Sequence, residues 1–330
     1  MSTQYDVAGI GNAIVDVIFP ATDQFLLEQG IAKSVMTLID EFRAAHLLNL
    51  VSGGTKSSGG SAANTMAGLA SFGGSGKFVG KVKNDALGLS FARDMASIGV
   101  YFDTAPADDG LSTACCIIAV TPDGHRSMST YLGACREMTP EDVDATAIGS
   151  AKILYIEGYL WDQENSKAAI RKAIAAAKGA GRRVALTLSD PFCVGRYREE
   201  FLHLMREDVD ILFANESEIT ALFETEDFEE ALRAACNWQG LAVLTRSEKG
   251  CVVAAPNGAV YEQPAEPVAR VIDTTGAGDQ FAAGFLFGLS RGKDLGSCAR
   301  LGAIAAAEII AHYGARPEVS LYHLAVKAGF

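Results

Sequence analysis

From about residue 150 onward, short apolar runs alternate with segments whose apolar residues recur at helical spacing. The runs contain no charged residue, which is typical of strands that are buried on both faces of a sheet. The predicted strands are 153–156, 184–188, 211–214 and 241–245. The predicted helices are 166–178, 199–205, 217–223, 228–238, 277–289 and 297–311. This alternation predicts an α/β fold in three layers, with a central, mostly parallel sheet between two layers of helices.

The N-terminal part follows a different pattern. Strands are predicted at 7–11, 13–19, 34–38 and 78–82, helices at 40–50, 61–71 and 86–98, and a loop at 52–60. Thr121-Pro122-Asp123-Gly124 has the proline and glycine of a tight turn, so 113–120 and 126–131 are predicted to form an antiparallel hairpin. A hairpin does not fit a parallel sheet. We therefore expect one domain over residues 1–330 with a small accessory β-layer from segments of about 13–40 and 100–134.

Composition narrows the class of protein. The chain has 330 residues, 49% of them hydrophobic, and a net charge of −12. Such an acidic chain gains nothing from neutralising phosphates, so nucleic acid is not an expected partner. Seven scattered cysteines without C-x-x-C spacing argue against a disulfide framework or a zinc site. The sequence has neither an apolar run of about 18 residues nor a basic signal-peptide region, so we expect a cytoplasmic protein without a membrane segment.

The most specific chemical signal is the segment Asp273-Thr274-Thr275-Gly276-Ala277-Gly278-Asp279. It leads directly into a predicted helix, where free N–H groups and the helix dipole attract anions and glycine permits a close approach. A carboxylate at Asp279 would repel the anion unless it takes a proton from a hydroxyl that attacks a phosphate. The alternative is that Asp279 only caps the helix and the glycines only form a turn. The length of the segment favours a phosphoryl-transfer centre.

Two further clusters lie at the N-terminal end of the chain. Gly59-Gly60-Ser61 precedes a predicted helix that carries Asn64 one turn in, which fits either a ligand site or a capped loop. Asn12 and Asp16 follow the first strand, where ligands collect in open α/β sheets, and Asp16 either holds ligand hydroxyls or points to solvent. A dinucleotide site at Gly9-x-Gly11 is disfavoured because Ile14 stands where the fingerprint needs a third small residue.

Two more clusters follow later strands. Asn215 and Glu218 open a predicted helix, and they either complement its dipole or organise a hydrated Mg²⁺. Thr245 to Gly250 follows the next strand and forms either a nucleotide loop or a simple turn.

The order of these clusters resembles the ribokinase-like carbohydrate and nucleoside kinases of the PfkB family. Residues 273–279 are similar to the C-terminal signature of that family, Gly59-Gly60 with Asn64 to its glycine motif, and Asn215 with Glu218 to its metal-organising motif. The resemblance covers essentially the whole chain. It implies a ribokinase-like αβα fold with a small β-sheet lid, and an ATP- and Mg²⁺-dependent kinase that acts on an alcohol group.

The resemblance also implies a role for each matching position. Asp279 would be the catalytic base, and the N–H groups of Gly276, Ala277 and Gly278 would form the anion hole. The acceptor would be bound by Asn12, Asp16, Gly60 and Asn64. Beyond these matching positions, the candidate acceptor-binding residues are Ser61, Arg126, Leu132 and Tyr159. The nucleotide would be bound by Asn215, Thr245, Gly250 and Gly278, and the metal by Glu218. Some relatives use a monovalent cation such as K⁺ near 273–275, which the sequence leaves open.

Within the family, the chain looks most like the adenosine-kinase branch, on the evidence of residues 11–16 and 126–134. The candidate lid region also contains apolar and aromatic residues that suit a nucleobase: Phe19, Val35, Met36, Tyr131, Leu132, Tyr159 and Trp161. Alternatively, these residues join the lid to the core or form a dimer contact, so both a monomer and a homodimer are open. Arg126 either meets the transferred phosphate or stays in solvent.

The predicted reaction is phosphorylation of the 5′-hydroxyl of a nucleoside, with adenosine as the first candidate. A ribokinase- or fructokinase-like sugar kinase is the alternative within the family. A non-catalytic nucleoside-binding regulator on the same fold is the alternative outside enzymes.

Overall fold

Two β-sheets and the helices packed on them make up the fold, in a computed structural model that describes residues 3–51 and 53–330. The strands are β1 (Tyr5–Ile10), β2 (Ile14–Pro20), β3 (Met36–Leu38), β4 (Thr55–Gly59), β5 (Gly76–Val79), β6 (Val100–Phe102), β7 (Ala114–Val120), β8 (Arg126–Tyr131), β9 (Ala151–Glu157), β10 (Arg183–Thr187), β11 (Ile211–Asn215), β12 (Leu241–Thr245), β13 (Cys251–Ala254) and β14 (Val260–Gln263). The helices are α1 (Asp23–Glu28), α2 (Glu41–Leu50), α3 (Ser61–Ser71), α4 (Ala86–Ser97), α5 (Ala145–Gly149), α6 (Glu164–Gly179), α7 (Pro191–Glu207), α8 (Glu216–Phe223), α9 (Phe228–Cys236), α10 (Ala277–Ser290), α11 (Leu295–Ile309) and α12 (Leu321–Lys327). Short 3₁₀ helices span Gly133–Glu137, Pro140–Asp142, Gly158–Asp162 and Ser247–Lys249.

The large sheet has the strand order β14-β13-β12-β11-β10-β9-β1-β5-β6. Strands β6, β5, β1 and β9 to β12 run parallel, whereas β13 and β14 are antiparallel. One face packs against α5 to α9 around Ile170 and Phe201, and the other against α3, α4, α10 and α11 around Met66 and Phe285. The expected α/β fold with a central, mostly parallel sheet is therefore confirmed.

The small sheet has the order β3-β8-β7-β2-β4. The expected hairpin is present as antiparallel β7 and β8, and β2 pairs parallel to β7. One face of this sheet packs against α1 and α2 and buries Phe19, Ile117 and Tyr131. The register places Asp16 and Arg126 on the opposite face, which is turned toward the large sheet.

The expected loop at 52–60 was wrong in part, because Thr55–Gly59 forms β4 and pairs antiparallel with β2. Its sequence, Thr-Lys-Ser-Ser-Gly, has no apolar alternation, so the strand depends on contacts from distant residues. Val100–Phe102, which the expected β-layer included, pairs with β5 in the large sheet. Across residues 3–51 and 53–330, no helix is long and apolar enough to span a membrane.

Helices α10 and α11 approach each other closely at Gly284 and Gly302. A Cβ atom on Gly284 would lie 2.4 Å from the backbone oxygen of Leu301, and one on Gly302 would lie 2.8 Å from that of Phe281. Backbone atoms cannot move aside as a flexible side chain can. The position of α10, and therefore of its first turn, depends on these two glycines.

We expect Gly284→Ala to lower the free energy of unfolding by ~1–3 kcal/mol, the usual cost of overpacking. Gly195→Ala in α7 is the matched control, because a Cβ at Gly195 has no atom within 4 Å. Removing glycine from an open helical position should raise stability by ~0.5–1 kcal/mol. Urea denaturation of both variants measures the difference, and equal effects at the two sites would contradict the packing argument.

Candidate active site

Polar side chains converge where the carboxyl ends of the parallel strands meet the first turns of α3 and α10. Ligands bind at this edge in open α/β sheets. Asn12 follows β1, Glu157 ends β9, Asn215 ends β11 and Thr245 ends β12. The small sheet covers the same edge, since Arg126 at the start of β8 forms an ion pair with Asp273 in the segment that precedes α10.

The first turn of α10 has unused backbone donors. Gly276 has a positive φ of 77°, and a Cβ there would lie 2.7 Å from the Cβ of Ala315, so only glycine fits. The N–H of Ala277 donates to the carbonyl of Thr274 at 3.2 Å. Within the described residues, the N–H groups of Gly276, Gly278 and Asp279 have no hydrogen-bond acceptor. These three free N–H groups are suited to binding an anion. The predicted anion hole had Ala277 as its third donor, and the structure has Asp279 instead.

Asp279 is held by two side chains from α3. Its Oδ1 accepts from the Ser61 hydroxyl at 2.6 Å, and its Oδ2 accepts from the Asn64 amide at 3.1 Å. Burial raises the pKa of Asp279 to about 6, whereas these two donors and the charge of Arg316 lower it. The carboxylate is therefore ionised at neutral pH and more basic than an exposed aspartate, as a general base requires.

Asn64 has a second feature suited to ligand binding. Its Oδ1 is buried and has no hydrogen-bond partner within the part of the chain that the structure describes. A buried acceptor without a donor is costly, and a ligand hydroxyl would satisfy it.

Asn12 is bound to a residue that the sequence analysis did not single out. Its amide and backbone N–H donate to the Glu157 carboxylate at 2.6 and 3.3 Å, and the N–H of Ala62 donates to the same carboxylate at 2.9 Å. Burial raises the pKa of Glu157 to about 7. Glu157 thus fixes the end of β1 to the start of α3. The sequence did contain a signal for Glu157, namely an acidic residue at the end of the otherwise apolar run of β9.

Asp16 lies against the glycine turn that precedes α3. A Cβ on Gly59 would come within 2.5 Å of its Oδ2, and Gly60 has a φ of 98° with no room for a Cβ beside the carbonyl of Asn12. Burial raises the pKa of Asp16 to about 6, and the charges of Arg316 and Arg126 oppose that rise.

Asn215 and Glu218 form a reciprocal cap at the start of α8. Glu218 N–H donates to Asn215 Oδ1 at 2.8 Å, and the Asn215 N–H and amide donate to the Glu218 carboxylate at 3.0 and 2.6 Å. The capping alternative is thus realised in the structure. Both residues nevertheless line a recess of ≈ 90 Å³ that also contains Thr245, Gly278 and Asp279. Burial raises the pKa of Glu218 to about 7, an increase that a nearby cation would reverse.

The candidates Gly250, Tyr159 and Leu132 do not line this recess. Gly250 makes the turn between β12 and β13 with a φ of 88°, and a Cβ there would lie 2.0 Å from the carbonyl oxygen of Gln263. The hydroxyl of Tyr159, an exposed residue, donates to the Ser189 carbonyl at 3.2 Å. Leu132 is partly buried just after β8.

Arg126 joins the small sheet to the segment that precedes α10. Its guanidinium forms an ion pair with Asp273, and both side chains are only 8% exposed. Asp273 also accepts from the N–H and hydroxyl of Thr275 and from the N–H of Gly314. Arg126 is thus not in solvent, and its Nη1 is engaged by Asp273. Its Nε is buried without a hydrogen-bond partner among the described residues, and a contact with the transferred phosphate stays a prediction.

Several aromatic residues expected near the substrate belong to the core. Phe19 and Tyr131 pack against α1 and α2, and Trp161 is 1% exposed among the helices on the far face of the large sheet. Phe19 and Tyr131 therefore lie on the face of the small sheet that is turned away from the large sheet, and Trp161 is part of the core. The register instead places Ile18, Ile118, Met128 and Met36 side by side on the cleft face, next to a row with Asp16, Cys116, Thr130 and Leu38.

Comparison with known proteins agrees with this architecture. The profile described as "pfkB family carbohydrate kinase" matches residues 32–320. The chain belongs to this family. The expected ATP-dependent kinase with a hydroxyl acceptor is thus confirmed at the level of the pfkB family.

Two crystal structures match nearly the full chain. Adenosine kinase from Sinorhizobium meliloti is 49% identical, with a TM-score of 0.90, over 99% of this chain and 100% of that one. A probable sugar kinase protein from Rhizobium etli CFN 42 is 46% identical, with a TM-score of 0.90, over 99% of both chains. Cytidine kinase from Thermococcus kodakarensis is 41% identical over 36% of this chain, and the match spans only 45% of that protein. The expected likeness to the adenosine-kinase branch is confirmed, but these relatives carry different substrate names.

Proposed function

We propose that this pfkB-family protein transfers the γ-phosphoryl group of ATP to the 5′-hydroxyl of a nucleoside, with adenosine as the first candidate. The observation that carries the proposal is the position of Asp279. Its carboxylate is anchored by Ser61 and Asn64 beside the free N–H groups at the start of α10. A base and an anion site then adjoin one another, which phosphoryl transfer to a hydroxyl requires.

In this mechanism Asp16 and the unpartnered Asn64 Oδ1 accept hydrogen bonds from hydroxyls of the acceptor. The hydroxyl oxygen attacks the γ-phosphorus as its proton passes to Asp279. The new O–P bond forms as the bond to the leaving ADP breaks. The N–H groups of Gly276, Gly278 and Asp279 donate to the phosphoryl oxygens, so that most of the rate comes from positioning and charge stabilisation.

The nucleotide side of the proposal uses the recess beside α8. Its lining contains no Lys or Arg among the described residues, so the phosphates of ATP need a cation from elsewhere. Glu218 and Asn215 supply the oxygen chemistry that Mg²⁺ prefers, and their mutual hydrogen bonds suit contact through water. Bound there, Mg²⁺ would neutralise charge on the phosphates. Both Asp273 carboxylate oxygens are engaged, and the proposal makes no use of K⁺.

A nucleoside is favoured over a free sugar by the cleft face of the small sheet. There the partly buried Ile18 and Met128, on either side of the buried Ile118, are followed by Met36 and Leu38, which are 51% and 61% exposed. A flat nucleobase would cover this apolar surface, and a free sugar would leave it in water. A sugar kinase is the second candidate, because Asp16 and Asn64 recognise hydroxyls of either acceptor and the Rhizobium etli relative is named a probable sugar kinase. A cytoplasmic location and a monomeric or dimeric state stay predictions.

Asp279→Asn should reduce kcat by ~10²–10⁴-fold, the usual contribution of a general base. Nucleoside binding should persist, because the amide keeps the shape of the side chain. Steady-state kinetics and isothermal titration calorimetry measure the two effects. Retained turnover would contradict the role of Asp279 as the base. The matched control is Asp162→Asn, which changes an aspartate in a surface ion pair.

The rate should fall as the pH decreases through about 6, where Asp279 and Asp16 take up protons. Both pKa values are raised relative to the unfolded chain, so protonation of these groups stabilises the fold as the pH falls toward 4. The acidic limb of kcat/KM should therefore appear while Tm is maintained. A limb that coincides with loss of Tm would reflect unfolding instead.

A substrate panel separates the candidate functions. Adenosine, other nucleosides, ribose and fructose are compared with ATP and Mg²⁺ by following ADP release. We expect kcat/KM to be highest for a nucleoside. Saturable turnover of free sugars alone would establish the sugar-kinase alternative, and no ADP release with any acceptor would favour a non-catalytic regulator.

A further inference from the structure

Arg316 lies in the segment between α11 and α12 and reaches back into the active site. Its Nε and Nη2 donate to the Ser58 carbonyl at 3.0 and 2.6 Å, and its Nη1 donates to the Ala63 carbonyl at 3.1 Å. Nη2 also contacts the Ser58 hydroxyl at 2.9 Å. One guanidinium thus binds the backbone on both sides of Gly59-Gly60.

The turn that Arg316 holds is tightly constrained by its surroundings. Gly59 lies against Asp16, Gly60 lies against the Asn12 carbonyl, and Ser61 and Asn64 follow at once with their hydrogen bonds to Asp279. A small displacement of this turn would change the contacts of both carboxylates. Placing a reactive group about 1 Å out of position is costly to the rate.

The charge of Arg316 acts on the same residues. Asp16, Asp279 and Asp94 all interact with it electrostatically, and burial lowers its pKa to about 10, which leaves it charged at neutral pH. Asp94 is already hydrogen-bonded to the N–H and hydroxyl of Ser58. Arg126 also acts on Asp16 but is paired with Asp273. The negative charge of Asp279 in turn helps to raise the pKa of two nearby acids, Glu157 and Glu218, and Asp190 also acts on Glu218.

The neighbours of Arg316 contact the other half of the site. The N–H of Gly314 donates to Asp273 at 3.0 Å, and the carbonyl of Ala315 accepts from Gln280 of α10 at 3.0 Å. The segment 314–316 therefore touches the anion site through two residues and the glycine turn through the third.

We propose that Arg316 is a positioning residue for the transfer reaction, which fixes the Gly59-Gly60 turn and sets a positive charge against Asp16 and Asp279. The reaction itself rests on the function proposed above. Arg316 would thus contribute in two ways, through hydrogen bonds to two backbone carbonyls and through a positive charge beside two carboxylates. Lysine can supply the charge but cannot bind both carbonyls with one planar group.

The test compares Arg316→Lys and Arg316→Met with the wild-type protein. Arg316→Met should move the acidic limb of kcat/KM upward by about one pH unit, because an opposite charge is lost beside the carboxylates. Arg316→Lys should leave that limb in place but raise the KM for the acceptor by about tenfold, because the turn loses its clamp. Arg198→Met, which removes a bond to the Leu222 carbonyl in the last turn of α8 and no bond to the Gly59-Gly60 turn, is the matched control and should change neither.

An unchanged acidic limb in Arg316→Met, or identical kinetics in the two variants, would overturn the inference and leave only a structural role. If Arg316→Met does not fold, an unchanged acceptor KM in Arg316→Lys overturns it alone. A separate readout is the carboxyl ¹³C titration of Asp279, assigned by its loss in Asp279→Asn, and its midpoint should rise in Arg316→Met without any substrate. If the wild-type protein turns over no acceptor, the proposed function fails while this titration still tests the effect of Arg316.

Discussion

Two carboxylates, Asp16 and Asp279, must stay charged in poorly hydrated positions beside an anion site. Burial disfavours the charged form and raises the pKa of both groups to about 6. Donors from Ser61 and Asn64 and the charge of Arg316 limit the rise for Asp279, and the charges of Arg316 and Arg126 limit it for Asp16. The surrounding structure therefore keeps two negative charges ionised where, in the proposed reaction, a third negative group, the phosphate, would bind.

That arrangement depends on helix packing, because the groups come from distant parts of the chain. Ser61 and Asn64 belong to α3, whereas Asp279 belongs to α10. The two helices approach closely at Gly68, where a Cβ would lie 2.7 Å from that of Ala283, and Gln280 donates to the carbonyl of Asn64 at 2.9 Å. A reaction centre with tolerances of a few tenths of an ångström requires this rigidity.

The sequence was informative where the signal is local. The segment 273–279 contains its own helix start, and the apolar strands contain their own pattern, so both could be predicted. Strand β4 could not be predicted, because its residue Ser58 is hydrogen-bonded to Asp94 and Arg316, which are distant in sequence. Glu157 and Arg316 were missed for the same reason. The sequence left open whether Phe19 and Tyr131 face the substrate, because a cluster in sequence does not say which side of a sheet a helix will cover.

Overall similarity cannot decide the acceptor, because relatives of 49% and 46% identity are named an adenosine kinase and a probable sugar kinase. Identity averages over the whole chain, whereas specificity depends on the few side chains that touch the acceptor. In the proposed function Asp16 and Asn64 bind hydroxyls of the acceptor, which ribose and free sugars share. The discriminating surface is therefore the apolar cleft face of the small sheet. Exposed Met36 and Leu38 at its edge would lose contact with water only if the acceptor carries a flat, apolar group beyond its sugar, and this argument favours a nucleoside.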